Sequence, residues 1–290
     1  MRIGSIMGIV IKVNPFFLLL LPVASVYGQL IPTLVVFAVV LWHEAVHVLT
    51  ALYYGMRVVE IEILPFGGVA RMDDLMQFEP HIEAAVAAVG PISNLVLLGI
   101  FCLWHNYYPI DPDWMDFIAR ANISMAALNL LPALPLDGGR ILRSRLISSM
   151  GIRRATEIAA LIGQLFAVGF ILIGLAGIFF YTSVNAGILI LIGFFVVTAA
   201  QKEKEEAVYV FLRYLTQKQR QVRSKRVMMT KELVATSEAS VGEVLQHFTP
   251  SYFHFIWVVD LNGELIGVMT EFELINSLLE EGIHGKLSKL

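Results

Sequence analysis

The chain has 290 residues, of which 57% are hydrophobic and only 16% charged, with a mean hydropathy of +0.71 and a formal net charge of -3. A soluble protein carries about 25% charge, so this composition excludes an ordinary soluble fold and reads as an integral membrane protein. The net acidity gives no pointer to nucleic acid, and the one cysteine, Cys102, builds no disulfide framework.

At about 20 apolar residues per helical span, the sequence predicts an α-helical polytopic membrane protein of about six spans. They run from Ile9 or Asn14 to Tyr27, Leu30 to Leu52, Ile82 to Trp104, Trp114 to Leu131, Ile158 to Tyr181 and Val184 to Ala200. The first is short and holds Pro15 and Pro22. Arg2 and Lys12 accompany it without a clear small-residue cleavage site, so it reads as an anchor and not as a removed signal peptide.

Arg57 and Arg71 follow the second span, and Arg140, Arg143, Arg145, Arg153 and Arg154 follow the fourth. The connections after the first, third and fifth carry no Lys or Arg, and the third-to-fourth loop holds Asp111, Asp113 and Asp116. Basic residues accumulate on the inner side, which places both termini in the cytoplasm.

Inside the second span lies "LWHEAVHVLT", Leu41 to Thr50. A charged side chain at mid-bilayer costs about 2.5–3.5 kcal/mol on insertion scales, so ionisable groups there are functional candidates. In a helix His43 and His47 stand at i and i+4 on one face, close enough to share an ion, with Glu44 beside them. Two histidines make half of a tetrahedral zinc site; a catalytic site needs a third protein ligand and an open position.

"NLLPALPLDGGRIL", at the cytoplasmic end of the fourth span, offers Asp137. Pro132 and Pro135 break the helix, and Gly138-Gly139 permit a turn that points the carboxylate back into the bundle. His43 and His47 lie about 15 and 9 Å from Tyr53 by helical rise, so both motifs fall in the cytoplasmic half of the membrane. A plain turn aspartate is the competing reading of Asp137. Between the two motifs, "ILPFGGVARM" with Gly67-Gly68 alternates apolar residues, as a hairpin or re-entrant loop would.

The composition changes after Ala200. Residues 1–200 read as the membrane domain and 201–226 as an amphipathic, basic linker, with Val208, Phe211, Leu212 and Leu215 at helical spacing. Residues 227–290 read as a small cytoplasmic α/β module. In it, "SVGEVLQHF" is a short helix, "FIWVVDLNGELIGVMT" a hairpin turning at Asn262-Gly263, and "EFELINSLLEEG" a closing helix. His81, His105, His247, His254 and His284 read as surface or packing residues.

"HEAVH", "VGPISNL" (Gly90, Pro91, Asn94) and "NLLPALPLDGGR", in this order, resemble the three signatures of the site-2 protease family of intramembrane zinc metalloproteases. The resemblance implies one Zn2+ per subunit on His43, His47 and Asp137, and Glu44 as the general base of peptide hydrolysis. It further implies that Asn129, Pro135, Gly67, Gly68 and Asn94 position substrate, with a polar interhelical contact as the competing reading of Asn94 and Asn129. The C-terminal module resembles a single CBS domain, which implies ATP or another adenine nucleotide and a homo-oligomer through paired CBS units. Where such domains often have Thr followed three residues later by Asp at the ribose, this chain has Thr270 and Glu273.

The combination is similar to a sporulation branch of the family. That likeness implies a membrane-associated substrate, pro-sigma-K, and the mother-cell membrane surrounding the forespore. It also implies inhibitory membrane partners, stage IV sporulation protein FA and bypass-of-forespore protein A. Two rival readings are a CBS-containing membrane metal-ion transporter and an inactive binding protein. The first calls for polar residues along a route from face to face, whereas the outer ends of the spans are apolar; the second calls for a lost ligand or a lost Glu44, and neither is lost.

Overall fold

A computed structural model describes residues 2–6, 9–13, 15–56, 58–64, 67–72, 80–181, 186–205, 227, 229–245, 247–248, 252–281 and 285–287. The chain divides into two compact units, residues 1–77 with 81–141 and residues 78–80 with 142–290.

In the first unit, strands β1 (Arg2–Ile6), β2 (Ile9–Val13), β3 (Val58–Leu64) and β4 (Gly67–Met72) form a sheet in that order. β2 and β3 pair in parallel, and the other two pairs are antiparallel. A parallel pair needs a long crossover, and helices α1 (Pro15–Val26) and α2 (Leu30–Tyr53) supply it. α2 ends where Gly55 adopts φ +76° and its N–H donates to the Leu52 carbonyl at 2.9 Å, a left-handed stop that glycine makes without strain.

α3 (Pro80–Tyr107) and α4 (Pro112–Asn129) complete this unit. α4 starts at Asp111, whose carboxylate accepts from the N–H groups of Asp113 and Trp114, with Pro112 in the first turn where no backbone donor is needed.

Among the described residues, four helices are long and apolar enough to cross a membrane: Leu30–Tyr53, Pro80–Tyr107, Ser149–Phe180 and Ala186–Glu205. They cover four of the six expected spans. The other two are helices as well: α1 takes the Asn14 alternative of the first span, and α4 covers most of the fourth. Ile9–Val13 joins the sheet, since a β-branched run suits a strand as well as a membrane helix, and the 12 residues left in α1 rise only about 18 Å. α4 has 18 residues and carries Asp113, Asp116 and Arg120.

In the second unit, α5 (Asp137–Tyr181, entered from residue 142) breaks at Gly151, φ +79°, and then runs beside α6 (Ala186–Glu205). Their approach is close: a Cβ on Gly193 would lie 2.7 Å from the Ala167 carbonyl oxygen, and one on Gly174 would lie 2.8 Å from that of Ala186. Small residues commonly set such contacts between membrane helices.

The C-terminal module has a sheet β5 (Thr230–Thr236), β6 (Phe253–Val259), β7 (Leu265–Thr270), with short α7 (Val241–Leu245) and α8 (Glu271–Glu281). The expected hairpin turns at Gly263, φ +85°, and both expected helices form. β5, parallel to β6, is an element the sequence reading did not include. Val241, Val244, Phe248, Ile256 and Leu274 make the core, and Ile147, Ile152 and Ala155 of α5 are buried in the same cluster. His254 is a packing residue, stacked on Phe248 and bonded to the Glu271 carboxylate. The linker residues Val208, Phe211, Leu212 and Leu215, and His284, lie outside the described residues.

Candidate metal centre

α2 sets His43 and His47 one turn apart, with ring centroids 4.6 Å from each other. Asp137 arrives from a separate element, the first residue of α5, where a carboxylate suits the positive end of a helix. The segment from Leu130 to Leu136 folds back over that first turn. It can do so because residues 138 and 139 are glycines: a Cβ on Gly138 would lie 2.3 Å from the carbonyl oxygens of Leu130 and Leu131, and one on Gly139 would lie 2.3 Å from the backbone of Ala133.

Three atoms converge there. His43 Nε2 and His47 Nε2 each lie 3.1 Å from Asp137 Oδ2 and 3.0 Å from one another. All three residues are buried.

The other ring nitrogens decide what this triangle can hold. His47 Nδ1 lies 2.7 Å from the Val86 carbonyl, which only accepts, so Nδ1 carries the proton. His43 Nδ1 lies 2.7 Å from Asn94 Oδ1, an acceptor as well. Both Nε2 atoms therefore aim lone pairs at a carboxylate oxygen. Three acceptors about 3 Å apart repel unless a cation lies among them, and one proton can join only two. Zinc at about 2.0–2.1 Å from N and O ligands spaces tetrahedral neighbours by roughly 3.3 Å, so the donor set fits zinc in number, type and spacing. It is the His/Asp cluster of metal-binding composition among the described residues.

Glu44 is half-buried on α2, next to His43 in the chain. Asn94 is buried and touches the site directly through His43. Asn129 is half-buried, and its Nδ2 donates to the Met125 carbonyl of its own helix at 3.1 Å. Pro135 lies in the fold-back segment one residue before Leu136, and Gly67 and Gly68 begin the last strand of the first sheet, opposite Leu64 and Ile63.

Thr270 and Glu273 lie in the C-terminal module and are bonded to one another. Glu273 Oε2 accepts from the Thr270 N–H and hydroxyl, and the Glu273 N–H donates to Thr270 Oγ1. This reciprocal pair caps α8. The Thr270 backbone amide, and then its hydroxyl, hold the Glu273 carboxyl below its usual range.

The sequence reading passed over Asn122, which is fully buried on α4 and donated to by Asn94. An asparagine in the middle of an apolar stretch is the signal that could have found it. It also passed over the Val86 carbonyl, which no side-chain pattern discloses.

The profile of peptidase family M50 matches residues 32–109 and 113–170, and that of the CBS domain matches residues 224–280. A zinc metalloprotease of Methanocaldococcus jannaschii is 33% identical over 279 residues, spanning 92% of this chain and 76% of that protein. Stage IV sporulation protein FB of Bacillus subtilis is 22% identical over 267 residues, spanning 92% of this chain and 90% of that protein. The solved site-2 protease from Methanocaldococcus jannaschii aligns with a TM-score of 0.55 and 31% identity over 70% of this chain and 94% of that one.

Proposed function

The chain belongs to the M50, or site-2 protease, family of membrane zinc metalloproteases and carries a CBS domain, and from that premise we propose that His43, His47 and Asp137 hold the zinc and Glu44 moves the proton. The observation that carries this reading is the convergence of two imidazole lone pairs and a carboxylate oxygen within 3.1 Å. Bound there, zinc would supply a water-derived nucleophile at neutral pH and a Lewis acid for the carbonyl. The Glu44 carboxylate accepts the proton of the attacking water and returns it to the nitrogen of the leaving amine, so that one water is consumed and one peptide bond broken.

A helical substrate hides its peptide bonds in internal hydrogen bonds, so a segment must unwind before attack. β4, beginning at Gly67 and Gly68, is the edge of its sheet, and an extended substrate segment adding there would find backbone partners. Asn129 and Pro135 complete the proposed positioning set, whereas Asn94, fully buried with its amide bonded to His43 and Asn122, has no polar group left for substrate.

The substrate of this reading is a membrane-associated protein. The narrower assignment is pro-sigma-K, in the mother-cell membrane surrounding the forespore, with both termini cytoplasmic and inhibition by membrane partners of the sporulation type. Its support is the similarity to stage IV sporulation protein FB over nearly its whole length. At the CBS domain we place an adenine nucleotide near Thr270 and Glu273, and self-association through the sheet. Supporting the latter, Val234, Trp257 and Val268 are directly paired across its three strands, and Val234, Ile266 and Val268 are exposed.

The test is cleavage by the purified full chain of two membrane-tethered segments, one from pro-sigma-K and one unrelated. Wild type is expected to cut the first and Glu44→Gln neither. Cleavage of the unrelated segment alone would overturn the narrower assignment, and full cleavage by Glu44→Gln would remove Glu44 from its role.

A further inference from the structure

A chain of directed hydrogen bonds reaches His43 from α4. The Ile118 carbonyl can only accept, so Asn122, whose Nδ2 lies 2.9 Å from it, must turn its NH2 group that way. Asn122 Oδ1 is thereby left facing Asn94 and accepts from Asn94 Nδ2 at 3.2 Å. Asn94 in turn is left with Oδ1 towards His43, 2.7 Å from Nδ1. An amide oxygen accepts, so His43 carries its proton on Nδ1 and leaves Nε2 as a lone pair. Both asparagines are fully buried and His43 nearly so, which keeps water from substituting for either amide.

We propose that Asn122 is a positioning residue for the metal centre, acting through Asn94 to fix the tautomer of His43 in its metal-ligating form. The inference rests on the zinc reading given above. Without Asn122 the Asn94 amide is free to flip; with its NH2 towards His43, it calls for a proton on Nε2, the nitrogen that must be bare. His47 needs no such relay, because its Nδ1 meets a backbone carbonyl directly.

Aspartate at position 94 provides a rescue that a packing role would not predict. A carboxylate accepts from His43 Nδ1 in either orientation, so it needs nothing to orient it. In the presence of Asn122, however, its second oxygen faces Asn122 Oδ1 and is repelled.

The test is competition for zinc between a chromophoric chelator and the detergent-purified full chain as wild type, Asn122→Leu, Asn94→Asp and Asn94→Asp/Asn122→Leu. Loss of an outer partner of a ligating histidine typically costs about ten- to hundredfold in metal affinity, and Asn122→Leu is expected to fall in that range. The double variant should bind more tightly than Asn122→Leu, with the cobalt-substituted protein recovering its absorption bands in parallel. Wild-type affinity in Asn122→Leu, or no recovery in the double variant, would overturn the relay. Wild type that binds no zinc would overturn the metal reading itself, and the two failures are told apart by that sample.

Discussion

Gly90 of α3 lies against the imidazole of His47: a Cβ placed on it would be 2.3 Å from His47 Nε2, 2.4 Å from Cε1 and 2.8 Å from His43 Cε1. No real side chain tolerates such distances, so glycine is what allows α3 to approach the two imidazoles. Gly90→Ala must push both rings from their places. The expected result is zinc affinity lowered by about ten- to hundredfold, as for other errors of ligand placement, with helix content unchanged by circular dichroism. Undiminished zinc in the variant would mean that α3 can retreat freely.

The C-terminal module offers a pH-dependent test apart from the metal. Removing a Thr cap typically costs about 1 kcal/mol, so Thr270→Ala should raise amide exchange along α8, Glu271–Glu281, while zinc content stays as in wild type. Because the Glu273 carboxyl is held below its ordinary value of 4.5, its contribution is complete above that value and is lost as pH falls through the lowered one. The difference between wild type and Thr270→Ala should therefore narrow on acidification; a gap that widens would contradict the capping geometry. Nucleotide binding can be followed in the same samples, and unchanged ATP binding in Thr270→Ala would remove Thr270 from the ribose contact.

The proposed self-association has its own variant. Val268 pairs with Trp257, which pairs with Val234, giving one apolar row across the sheet, and Ile266 is exposed beside it. A charge in the middle of a paired apolar face leaves it desolvated without a partner. Val268→Glu should shift the detergent-purified protein to a smaller species in light scattering. An unchanged mass would move the contact elsewhere.

The site was legible where chemistry is written in local spacing. His43, Glu44 and His47 share one helical turn, and Asp137 sits in a proline- and glycine-marked break, so both could be found before any fold was known. The turn at Asn262-Gly263 was equally plain, because two adjacent residues determine it. Asn122 was not, since its meaning depends on Asn94, 28 residues away on another helix. β2 was hidden for a different reason: Ile9 to Val13 is apolar enough to extend a span, and only pairing with β3 makes it a strand. β5 carries Lys231 and Glu232 among its seven residues, so its apolar pattern is weak, and it gains its identity from the parallel partner β6.

On the proposed reading, His43, His47 and Asp137 hold a zinc ion that Glu44 serves without binding. The most direct measurement is zinc content by mass spectrometry of wild type, Asp137→Ala and Glu44→Gln, purified in parallel without added metal. One zinc per chain is expected in wild type and in Glu44→Gln, and its loss in Asp137→Ala. Full zinc in Asp137→Ala, or none in catalytically active wild type, would contradict that reading.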